Sequence, residues 1–154
     1  MASTVILMSH VLFGVLGTLI AAALFMDIIN LNESNLKRIQ AISLVVAGLM
    51  ILAYLSGGYW YVVNYAADKA LIKAGSWPWA HGYFMEVKEH IFFILLFLSL
   101  YLPVVTCKKN LLELERFKKL ALTVTGLIIL LGLIMDGFGA IIAMGVKVGL
   151  MGGR

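Results

Sequence analysis

The chain has 154 residues, 62% of them hydrophobic and 13% charged, and its mean hydropathy is +1.01. A soluble domain is roughly half apolar and about a quarter charged, and one core of this size has no room for the excess apolar surface. Twelve Lys and Arg against eight Asp and Glu leave a net charge of +4, with the cations standing between hydrophobic runs; disorder, a collagen-like chain and a nucleic-acid-binding module are excluded.

Four runs are long enough to cross a hydrocarbon core about 30 Å thick at 1.5 Å per residue. Residues 2–26 carry no charge, and the run is too long, and lacks the basic start, of a cleavable signal peptide. Asn30 to Arg38 is a polar turn with several capping candidates. The second run, Ile39 to Ala67, is again uncharged. Tyr65 to Ser76 carries Asp68, Lys69 and Lys73 and reads as a short interfacial helix, and Ser76-Trp77-Pro78 reads as a helix start. The third run is free of charge from His90 to Cys107, and the fourth, Leu120 to Val146, is interrupted only by Asp136. Cys107 is the one cysteine, so neither an internal disulfide nor a CxxC pair is available. The expected architecture is all-α: an integral membrane four-helix up-down bundle in one domain, with helices over about 3–30, 39–66, 78–106 and 119–146.

Orientation follows from the cations. Lys37, Arg38, Lys108, Lys109, Arg116, Lys118 and Lys119 fall in the two loops of one side, against Lys69, Lys73, Lys88, Lys147 and Arg154 on the other. That bias puts both termini outside the cytoplasm, in a multi-pass protein of the inner (plasma) membrane. Tyr59, Trp60, Tyr61, Tyr65, Trp77, Trp79 and Tyr83 then form an aromatic belt at the outer interface.

Ionisable groups at membrane depth are expensive and point to function. His10 lies about 10 Å inside the first helix, and His90 a similar distance inside the third, which runs parallel to it. Two imidazoles at one depth suit a haem iron held between helices 1 and 3, so His10 and His90 are the candidate axial ligands. Gly14, Gly17 and Ala21 continue the stripe of His10 as a smooth face, and Phe93 and Phe97 follow His90 as an aromatic wall. Small residues on one stripe also serve close helix packing.

Glu86 stands one turn before His90 and can act on its outer nitrogen, with Glu89 beside it; the same groups with His10 and Asp136 would alternatively hold a bare divalent metal. Lys88 and Glu89 also read as an interfacial charge pair. At 100° per residue His81 falls on the face opposite His90, with Met85 and Lys88, as an interfacial residue. Asp136, within the glycine-rich Gly132 to Gly139, reads as a proton relay, as a hydrogen-bond partner of a tyrosine such as Tyr54 or Tyr59, or as a capped helix break.

The opening His10-Val-Leu-Phe-Gly14-Val-Leu-Gly17, with Trp79 and Val87-Lys88 at the head of the third helix, resembles small membrane proteins of the HemJ and CopD type and, more loosely, four-helix b-type cytochromes. The resemblance implies haem, protoporphyrinogen oxidation or copper handling, with His10 as the first-helix histidine and Lys88 as the lysine of a later helix. The chain departs from the HemJ pattern at Phe25 to Asn30, where a Pro-Arg pair would stand.

Three functions follow as expectations. The first is electron transfer through one haem b near the outer face, with a quinol or a redox protein as partner. The second is protoporphyrinogen oxidation with His10 and Lys88 near the porphyrin. The third is a non-catalytic role, as a metal-handling protein or an assembly subunit of a larger complex; as partners, a second copy of the chain or the subunits of such a complex are expected.

Overall fold

The computed structural model describes residues 2–108 and 111–152; of the cations counted above, Lys109 and Arg154 lie outside them. The chain forms α1 (Ala2–Ile29), α2 (Leu36–Ala74), a π-helical turn (Ala80–Met85), α3 (Glu86–Thr106) and α4 (Glu115–Gly152). No strand occurs among the described residues. All four spans are long and apolar enough to cross a membrane, so the protein is an all-α, multi-pass membrane bundle in a lipid environment.

Two helices are longer than the expected spans. α2 starts three residues before Ile39 and runs unbroken to Ala74, so no separate interfacial helix forms at Tyr65 to Ser76. At 1.5 Å per residue its 39 residues reach about 58 Å. α4 likewise extends the expected 119–146 to Glu115–Gly152. Asp68, Lys69, Lys73 and Lys147 are good or tolerable helix residues, and charge marks the edge of an apolar run without ending a helix.

Successive helices run antiparallel because their connections are short. His10 meets Ala53 and Asp27 meets Arg38 across α1–α2; Gln40 meets Thr106 and Tyr65 meets His81 between α2 and the third span. Phe84 meets Phe138 between the third span and α4. Asn35 opens α2 without capping it: its side chain reaches back to the Asp27 and Asn30 carbonyls at 3.2 and 3.0 Å, and so ties the end of α1 into the turn. α2 and α4 touch across one diagonal, where Gly75 packs on Gly149. α1 and α3 face each other across the other diagonal and do not meet among the described residues.

Two apolar cores result. Near the two-loop end, Leu24, Ile28, Ile39, Val46, Leu102, Val105 and Ile128 pack together, all at most 1% exposed. Toward the other end, Trp60, Tyr65, Ile72, Ala80, Met85 and Ile142 form a second cluster. Part of the expected aromatic belt is therefore interior: Trp60 and Tyr65 are buried, whereas Tyr59, Trp79 and Tyr83 face outward. Large apolar side chains such as Val5, Leu19, Leu55 and Leu133 cover the outside of the bundle, where lipid takes the place of a second protein layer.

Candidate functional site

Between the two cores the bundle encloses a cavity of about 780 Å³, within the range of small-molecule and cofactor sites. All four helices line it, from Thr18, Met50 and Gly132 at its floor to Asp68 and Val146 near the termini end. It fills the gap between α1 and α3.

His10 is the best-defined group in it. Its Nδ1 lies 2.8 Å from the carbonyl oxygen of Ala53, so the ring donates Nδ1–H to an acceptor that has no proton to give. That bond leaves Nε2 as the unprotonated, lone-pair nitrogen of the neutral ring. The imidazole rests on the backbone of Gly57: a Cβ built there would stand 2.5 Å from Nδ1. Gly57 is thus the seat of the ring, and no larger residue fits beneath it without moving His10. A histidine that donates one nitrogen to a backbone carbonyl and offers the other is the usual arrangement of a metal-ligating imidazole.

His90 does not join it. It is exposed on α3, outside the cavity lining, and its Nδ1 bonds the Glu86 carbonyl oxygen at 2.7 Å. Glu86 and His90 do share a face, as their spacing requires, but that face points out of the bundle. Phe97, 68% exposed, points outward as well. The inward face of the third span is the one expected to be interfacial: His81 is buried, Met85 is buried, and Lys88 lines the cavity. His81 shares a 3.0 Å hydrogen bond with the Tyr65 hydroxyl in the second core.

The third span opens with a π-helical turn, Ala80–Met85, and the grouping of its residues into two faces follows the spacing. His81 and His90 do fall on opposite sides, but the inward side is that of His81.

The remaining expected residues divide. Gly14 lines the cavity with nothing within 4 Å of a built Cβ, whereas Gly17 packs on Met50, whose Cε would stand 2.8 Å from one. One glycine of the stripe therefore opens space and the other serves helix packing. Phe93 stands at the cavity edge, tilted against Tyr54, which stacks on Phe92 with ring centroids 5.6 Å apart and closes the α2–α3 seam. On the α1–α4 seam the lining residues Met8, Val11, Asp136, Ala140 and Ala143 are exposed, which leaves that side open toward lipid. Asp136 faces the cavity within an unbroken helix, so it caps no helix break, and it bonds neither Tyr54 nor Tyr59. Lys88 and Glu89 both line the cavity, and Glu89 Oε1 is buried without a partner. No group of three or more His, Cys, Asp or Glu able to hold a metal ion occurs among the described residues.

Sequence reasoning missed Ala53 and Gly57. The Gly57-Gly58 pair in the middle of a long apolar helix was the available signal, since glycine there costs helix stability unless something needs the space. No family model, no curated protein and no solved structure matches the chain.

Proposed function

We propose that the protein is a membrane tetrapyrrole carrier of the b-type cytochrome kind, holding one haem b in the cavity between α1 and α3 with His10 as axial ligand. The observation that carries this reading is the His10 imidazole: seated on Gly57, fixed by the Ala53 carbonyl, with Nε2 left to a cavity of about 780 Å³. The residues present fit such a group at one axial position. Gly14 offers a flat wall, Phe93 an aromatic edge, and the open α1–α4 seam a path for an apolar macrocycle from the bilayer. Haem bound there would supply one-electron chemistry. With His90 outside, the protein contributes a single imidazole, so we do not retain the two-histidine ligation.

A second reading, porphyrinogen oxidation of the HemJ type, is favoured by one observation: His10 and Lys88 line the same cavity. Metal handling without haem has less support, because no three-ligand cluster exists among the described residues. We further propose a plasma-membrane location with both termini outside the cytoplasm, on the excess of cations in the two loops, and exchange of electrons with a quinol or a redox protein. A homo-oligomer or a larger complex would fit the same reading.

The test is the optical spectrum of the purified protein, before and after haem addition and dithionite reduction. Wild type and His90→Ala should show a Soret band that shifts on reduction, and His10→Ala should lose it. A wild type that stays colourless with added haem would remove the reading. Rescue of a strain lacking protoporphyrinogen oxidase would decide for the second.

A further inference from the structure

Lys88 is a cation at cavity depth with no counter-charge in contact. The only ion pair among the described residues is Asp27–Arg38 at the two-loop end, so no carboxylate oxygen comes within 4 Å of the Lys88 ammonium. Nor does that ammonium take part in any side-chain hydrogen bond among the described residues. Asp136 on α4 lines the same cavity, yet stays beyond ion-pair reach. The chain also keeps space open for this amine. A Cβ built at Gly139 would stand 3.2 Å from Lys88 Nζ, so alanine there would crowd it. Glycine inside a helix costs up to about 1 kcal/mol relative to alanine. An ammonium held at this depth needs an anion, and the protein supplies none in contact.

We propose that Lys88 is the subsite for a carboxylate of the cavity's occupant, the propionate arm of the tetrapyrrole. The inference rests on the reading given under Proposed function and adds the occupant's orientation. The flat ring lies against His10 on α1, and an acid arm points across the cavity to Lys88 on α3. The carboxylate accepts a charge-assisted hydrogen bond from Nζ and supplies the missing charge. Glu89 and Asp136 line the same cavity and repel a carboxylate, so Lys88 is the one Lys or Arg among the lining residues to receive the acid arm.

The experiment compares haem with its dimethyl ester, which keeps the ring and the iron but has no carboxylate. Both are titrated into the full-length protein in nanodiscs and followed by the Soret band, for wild type, Lys88→Met and Lys88→Arg. Wild type should bind the free acid about tenfold more tightly than the ester, the worth of one hydrogen bond to a charged group. Lys88→Met should bind the two alike, and Lys88→Arg should keep most of the preference. Equal binding of acid and ester by wild type overturns the proposal with no need of a variant, and so does a preference that survives Lys88→Met. Failure of wild type to bind either compound removes the tetrapyrrole reading itself, and this inference with it.

Discussion

Glycines line both halves of this bundle, yet they end in opposite circumstances. At the floor of the cavity Gly132 receives the Thr18 side chain, and Gly17, just below it, receives Met50, so the helices close on one another. Above that floor Gly14 and Gly58 line the cavity and meet nothing within 4 Å of a built Cβ. The two-loop half is filled by Leu, Ile and Val at most 1% exposed, whereas the half beyond holds His10, Lys88, Glu89 and Asp136 around a hollow. A small residue in a membrane helix is therefore ambiguous by itself. Its meaning is set by the side chain opposite, which either enters the notch or leaves it open.

That contrast can be broken in graded steps. The largest effect on the fold is expected in the filled half. Leu102→Ala should destabilise the bundle by about 2–5 kcal/mol, since it empties a fully buried site with little room to collapse. Val15→Ala, on the cavity wall, should cost much less. Equal losses in a reversible unfolding titration would mean that both halves are packed alike.

Within the hollow half, Gly57→Ala should displace the His10 ring and, on the proposed function, weaken haem binding about 10–100-fold, the usual result of disturbing a ligand's support. Its neighbour makes the control: Gly58→Ala meets nothing and should leave binding unchanged. If the two variants bind haem alike, the His10 ring seated on Gly57 does not hold the haem.

At the boundary, Gly132→Ala should cost about 1–3 kcal/mol by forcing a methyl into Thr18. Thr18→Ala in the same chain should recover most of that loss, and a double variant no more stable than the single one would show the strain to lie elsewhere. The smallest effect belongs to the ion pair of the loop end. Arg38→Ala should cost no more than about 1 kcal/mol despite two good bonds to Asp27, because the arginine side chain is 61% exposed. A larger loss would mean that the Asn35 turn depends on the pair.

The spans were legible in the sequence because a bilayer demands long uncharged runs, and nothing in tertiary packing overrides that demand. Their ends were not. Asp68, Lys69 and Lys73 read as a boundary, but a helix leaving the membrane can carry charge and continue, as α2 does to Ala74. His10 stood out in the sequence, since an imidazole in an apolar run is conspicuous. Its partners did not, because Ala53 is 43 residues away and contributes only a backbone oxygen, which every residue has. The inward face of the third span was misread for a different reason. Periodicity fixes which residues share a face, and it did so for Glu86 with His90 and for His81 with Met85 and Lys88. It does not say which of two faces turns inward. Lys88 and Glu89, more polar than most inward residues, were expected at the interface, while the aromatic pair Phe93 and Phe97 made the outward side look like a wall.

The π-helical turn at Ala80–Met85 has a mechanical consequence. The third span is held to α2 at both ends, by His81 on Tyr65 and by Thr106 on Ser43. Between those two anchors the turn winds more residues into each turn than an α-helix does. Deleting one residue between Gly82 and Phe84 would tighten it and swing one end by about 100° against the other. The span would then either keep the buried imidazole and carry Lys88 away from the hollow, or keep Lys88 in place and surrender the bond to Tyr65.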